Sequence, residues 1–269
     1  MGIVNVTPDS FSDGGRYLDR SAAIAHGEKL AAAGADLLDV GGESTRPGAA
    51  AVGAEEETAR VLPVIEALAE AGHRVSVDTS KAAVAERALA AGATVVNDVT
   101  ALGDPAMAAV AAGADAGLIL MHMKGTPRTM QEDPRYEDVL TEVRDFLAVR
   151  LAAAVEGGVA EERIWVDPGI GFGKTVEHNL ELIDRLGELR ALGRPVVLGA
   201  SRKAFLGRLT GREVGDRLAA SVVVAALGIE RGADVLRVHD VAATRDAARV
   251  AEALLERGVG ARSAGDAGG

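Results

Sequence analysis

A chain of 269 residues with 48% hydrophobic content can bury a large core, and this length suits one α/β barrel of about 250 residues better than two small domains. The absence of cysteine excludes disulfides, thiolate metal sites and a cysteine nucleophile. A formal charge of −11 argues against nucleic acid as the main partner but leaves small anionic substrates open; no long apolar run or signal-like start points to membrane or export, so the cytoplasm is the default.

In chain order, short apolar runs alternate with Ala-rich stretches of helical character. The runs are Ile3-Val4-Asn5, Leu37-Leu38-Asp39, Val75-Ser76-Val77-Asp78, Val95-Val96-Asn97-Asp98, Leu118-Ile119-Leu120-Met121-His122, Ile164-Trp165-Val166-Asp167, Val196-Val197-Leu198-Gly199 and Val235-Leu236-Arg237-Val238-His239. The helices are expected at Ala22 to Ala33, Glu55 to Ala71, Ala82 to Ala91, Pro105 to Ala112, Glu137 to Glu156, Val176 to Leu192, Arg217 to Arg231 and Ala242 to Arg257. Several stop at glycine, where a left-handed residue ends a helix cheaply. Eight buried parallel strands, each followed by a helix, predict a single (β/α)8 TIM barrel over residues 1–257, with 258–269 as a frayed tail. The chemistry of such a barrel sits at the carboxyl ends of its strands, so the residues closing each run are a first draft of the active site. Two loops exceed what a barrel needs, Thr7 to Arg20 and Lys124 to Tyr136, and both are candidate lids.

After the first run, Asn5 and Asp13 could supply the few protein oxygens that Mg²⁺ takes, or could build an Asx-type turn. After the second, Gly41-Gly42-Glu43-Ser44-Thr45-Arg46-Pro47-Gly48 combines a close backbone approach with the forked donor of Arg46, unless that arginine is merely solvated. Asp78, Asn97 and Asp167 end three strands; converging, they would suit the amino-pyrimidinone edge of a heterocycle, with helix capping as the competing use. Three glycines around Phe172 in Asp167-Pro168-Gly169-Ile170-Gly171-Phe172-Gly173-Lys174 suggest a shaped pocket. Arg237 and His239 alternate along the last strand and project to one side, and with Lys203 they read as a cationic anion site at the loops where barrels often bind phosphate.

Taken together, and in this order, Met1 to Gly15, Asp39 to Gly48, Asp167 to Lys174, Gly199 to Lys203 and Arg237 to Val241 closely resemble the dihydropteroate synthases of the pterin-binding family, a folate-pathway group inhibited by sulfonamides. The resemblance implies condensation of a dihydropterin-methyl diphosphate with 4-aminobenzoate. It implies Asp167 and Asn97 on the pterin edge, with Asp78 at the other ring beside the cationic methylene. Lys203 would donate to the pterin and Arg237 would stack over it. Asn5 and Asp13 would hold Mg²⁺, which with Arg46, Arg237 and His239 grips the diphosphate, while Thr45, Arg46, Pro47 and Phe172 enclose the aminobenzoate. Asp78, Lys203 and Arg237 are thereby the catalytic set, and a homodimer is implied.

Two departures from the resemblance stand out. Ala204 occupies a position where many members carry serine, implying a weaker grip on the aminobenzoate carboxylate. Met1 practically begins the first strand, where members usually have a segment that often caps the barrel floor; either the true start lies upstream or the floor is open, and adding back a capping segment is expected to raise the melting temperature. The rival readings are a methyltetrahydrofolate methyltransferase, which leaves the Asn5 to Gly15 loop and the Ser201-Arg202-Lys203 cluster without purpose, and a non-catalytic pterin-binding paralogue.

Overall fold

The computed structural model describes residues 1–6, 16–44 and 51–265. Its strands are β1 (Gly2–Asn5), β2 (Leu38–Gly41), β3 (Val75–Asp78), β4 (Val95–Asp98), β5 (Gly117–Met121), β6 (Ile164–Asp167), β7 (Val197–Leu198) and β8 (Val235–Leu236). All neighbouring pairs are parallel, β1 through β6 in one continuous sheet and β7 with β8 in a second. Two isolated parallel bridges close the ring, Val166 with Val196 and Gly2 with Val238. Backbone bonds from Val166 N to Pro195 O and from Ile3 N to Val238 O, each 3.0 Å, mark those seams. The expected barrel is present.

Side chains on successive strand residues point to opposite faces, and the sequence uses that alternation throughout. Val4, Leu38, Val40, Val77, Val96, Leu118, Leu120, Val166 and Leu198 face outward into the main core beneath the helices. The other parity lines the interior. Met1, Leu37, Val95, Ile119 and Val197, with Trp165 and Val235, form a separate apolar layer near the floor. Two residues further along four of these strands, the same face presents Asp39, Asn97, Asp167 and Arg237. The barrel interior is therefore apolar near the floor and ionic above.

The helices are α1 (Arg16–Ala32), α2 (Ala54–Glu70), α3 (Ala82–Ala90), α4 (Met107–Gly113), α5 (Val139–Glu156), α6 (Val176–Asp184), α7 (Ala204–Thr210), α8 (Leu218–Glu230) and α9 (Val241–Gly265). Four differ from expectation. The backbone of α1 begins at Arg16, inside the segment read as a loop. The helix expected over Val176 to Leu192 ends at Asp184 and continues as 3₁₀ turns over Leu186–Leu192. A short helix, α7, precedes α8, and α9 continues past Arg257 to Gly265. No helix among the described residues is long and apolar enough to cross a membrane.

Candidate active site

At the upper mouth of the barrel, Asp78, Asn97, Asp167, Phe172, Lys203 and Arg237 line one cavity with Val99, Met121, Ile170 and Gly199. Strands β3, β4, β6 and β8 place the polar four at their carboxyl ends, and the loops after β6 and β7 add Phe172 and Lys203. Arg237 is the hub. Its Nε donates to Asp39 Oδ2 and its Nη2 to Asp78 Oδ2, both at 2.6 Å. Asp39 Oδ2 also accepts from Asn97 Nδ2 at 3.2 Å, so one fully buried carboxylate orients both an arginine and an amide. Burial opposes the charge on Arg237, but Asp39 and Asp78 outweigh it and raise the guanidinium pKa. It stays a cation.

Burial raises the Asp78 carboxyl above the usual carboxylate range, with Arg237 pulling it back and Asp39 and Glu57 adding to the rise. Asp167 is likewise raised by burial, against the Gly169 N–H that donates to its Oδ1 at 2.7 Å and the positive charge of Lys203. Lys203 is lowered to about 8 by burial and by Arg237, with Asp167 and Asp78 opposing. Its Nζ lies 3.9 Å from the centroid of the Phe172 ring, a cation–π contact that partly replaces lost water.

The loop after β6 needs its glycines. Gly169 has φ +67°, and a Cβ there would lie 1.8 Å from the His122 carbonyl oxygen; at Gly173, φ +64°, it would lie 2.4 Å from that of Lys124. Only a chain without side chains at these points packs this tightly on the β5–α5 connection. That connection, expected as a lid, is docked on the loop: Gln131 Nε2 donates to Gly171 O at 2.7 Å and Tyr136 OH to Gly173 O at 2.8 Å. Met130 packs with Val99, Met121 and Phe172.

The profile of the family described as pterin binding enzymes matches residues 1–239. The chain belongs to that family. It is 49% identical over 261 residues to the dihydropteroate synthase of Neisseria meningitidis serogroup B, covering 94% of this chain and 92% of the relative. Among solved structures, Xanthomonas albilineans dihydropteroate synthase with 4-aminobenzoic acid is 51% identical with a TM-score of 0.90, covering 95% of this chain and 92% of that one. The same enzyme in complex with 7,8-dihydropteroate is 48% identical with a TM-score of 0.86, again over 95% and 92%.

For this pterin-binding family member, the expected ring readers Asp78, Asn97 and Asp167 meet with Lys203, Arg237 and Phe172 in one place. His239 follows Arg237 on the same strand face, and its Nδ1 lies 3.1 Å from Ser201 Oγ. Burial, with Arg202 and Arg237, lowers the His239 imidazole to about 4, with Asp240 opposing. The Arg202 guanidinium is bidentate on Asp240 at 2.9 and 2.6 Å. Asn5 ends β1 on the interior parity but does not line the cavity. Asp13, Thr45, Arg46 and Pro47 lie outside the described residues.

Three features escaped the sequence reading. Asp39 closes the second run and heads the Asp39 to Gly48 motif, but neither reveals that it shares the interior parity of Arg237 and is the acid that fixes it. Met121 and Val99 form the apolar wall. Glu43 accepts from Val52 N at 3.1 Å and from Lys81, whose Nζ also donates to the fully buried Glu57 at 2.6 Å. That cluster joins the two flanks of segment 45–50 to α2 and to the start of α3.

Proposed function

We propose that the chain is a dihydropteroate synthase, condensing (7,8-dihydropterin-6-yl)methyl diphosphate with 4-aminobenzoate to give 7,8-dihydropteroate and diphosphate. The observation that carries this reading is the convergence of Asp78, Asn97, Asp167, Lys203 and Arg237 on one cavity. Donor and acceptor types match the job. Asp167 accepts from the amino-pyrimidine N–H groups while the Asn97 amide reads the neighbouring edge. Arg237, immobilised by Asp39 and Asp78, lies against the ring, and Lys203 donates to its carbonyl side.

The chemistry is leaving-group departure. The methylene C–O bond breaks, its electron pair leaves with diphosphate, the aminobenzoate nitrogen forms the new C–N bond, and that nitrogen loses a proton. Arg237 and Lys203 supply fixed positive charge, while Asp78 stabilises the cationic methylene without becoming a nucleophile. The apolar wall of Phe172, Met121 and Val99 keeps water from the cation.

The proposal includes Mg²⁺, which when bound neutralises charge on the departing diphosphate. No group of three His, Cys, Asp or Glu side chains among the described residues could hold a metal, which suits an ion that takes most of its oxygens from diphosphate and water. Asn5, at the end of β1, would offer a hard oxygen, with Asp13 as its partner. A cytoplasmic homodimer completes the reading. In α8 no residue before Glu230 is charged, yet Val223 and Leu227 are exposed, as are Leu209 of α7 and Val250 and Leu254 of α9. A helix apolar on all sides is normally covered.

The test is diphosphate release with both substrates and Mg²⁺. Release that depends on 4-aminobenzoate supports the synthase. Pterin binding without release would identify a binding paralogue, and methyl transfer from methyltetrahydrofolate without release would identify the methyltransferase.

A further inference from the structure

The loop after β6 ends in a lysine to which the proposed reaction gives no part. Lys174 is only 2% exposed, its charge favoured by the nearby Asp167 carboxylate and opposed by Lys203 and Lys124. Its Nζ donates to the Phe172 carbonyl at 3.0 Å and lies 2.9 Å from His122 Nδ1. Burial lowers the amine to about 7 and the imidazole to about 3, so His122 is neutral and offers a ring-nitrogen lone pair. The imidazole is itself held: the Phe146 ring meets it edge-on with centroids 4.9 Å apart, and Tyr136 lies at 6.2 Å.

An amine in this position is costly. Taking it out of water with one carbonyl and one imidazole as direct partners, and only the charge of Asp167 in its favour, is less favourable than placing an apolar side chain there. What it provides is geometric. A single amine joins the end of β5 to the backbone of Phe172, whose ring faces Lys203 Nζ at 3.9 Å. The loop's other bonds hold Gly169, Gly171 and Gly173, whereas Lys174 Nζ is the side-chain group on the carbonyl of Phe172 itself.

We propose that Lys174, held by His122, is a positioning residue that sets the Phe172 wall and so the aminobenzoate side of the cavity. This rests on the synthase reading above. The two substrates therefore respond differently. In Lys174→Met, the KM for 4-aminobenzoate rises about tenfold while that for the pterin diphosphate stays within about twofold. In a Phe172→Leu background, adding Lys174→Met raises the aminobenzoate KM by less than about twofold, because both changes act on one wall.

Steady-state kinetics on the full chain, with circular dichroism to verify folding, decides the matter. An aminobenzoate KM unchanged in Lys174→Met, an equal rise in both KM values, or effects that multiply in the double variant would each overturn the proposal. If Lys174→Met does not fold, His122→Leu replaces it under the same criteria. Wild-type protein that releases no diphosphate overturns the synthase reading and this inference with it, whereas an active wild type with an indifferent variant overturns the inference alone.

Discussion

At the scale of single residues, the site is a set of charges held out of water by one another. In the proposed reaction Lys203 donates as an ammonium, and burial with Arg237 has brought its pKa down to about 8. A lowered pKa means that the proton is lost on the alkaline side of the working range. The kcat/KM for pterin diphosphate is therefore expected to fall as pH rises through about 8, and Lys203→Arg should carry that limb to higher pH. Lys203→Ala removes a charge-assisted bond of roughly 1.5–3 kcal/mol, about 10- to 150-fold in kcat/KM. Asp39 offers the complementary test. Asp39→Ala leaves Arg237 with Asp78 alone and strips the acceptor from Asn97, so denaturant titration should show a loss of about 3–5 kcal/mol, as for a broken buried ion pair. Asp39 went unread because its partners lie 58 and 198 residues away. Composition and spacing carry no sign of contacts at that separation, and only the shared strand parity hinted at them.

At the scale of elements, the strands were legible because each is a short apolar run closed by a polar residue or a glycine, and the parity of a closing polar residue decides whether it faces the cavity. The helices were legible where they are long and end in glycine. Helix α7 was not: seven residues with Gly207 among them have too few turns to show a period. The Glu43–Lys81–Glu57 cluster belongs to this scale, since it ties the β2–α2 connection to two helices. Glu57 is fully buried and its Oε1 has no partner among the described residues. Lys81→Met would leave that carboxylate uncompensated, and we expect a loss of about 3 kcal/mol, the lower end for such a deletion because Lys81 is partly exposed. Urea unfolding with an unchanged midpoint would show that the cluster carries no net stability.

At the scale of the whole molecule, α7, α8 and α9 each expose large apolar side chains, the faces on which the proposed dimer would form. Val223→Lys puts a charge on the outer face of α8, and sedimentation should then show one-chain particles where the wild type shows two-chain particles; a wild type that sediments as a single chain would refute the dimer. The β7–β8 half of the barrel has a consequence of its own. Both strands are two residues long, and each is sewn to the larger sheet by one bridge. The stretches that follow them carry Lys203 and Arg237, so the cationic jaw hangs on the most thinly stitched staves of the cask. A ligand that spans Asp167 and Arg237 acts as a hoop around that seam, and the amides of Val166 and Val238 should exchange with solvent more slowly once it is in place.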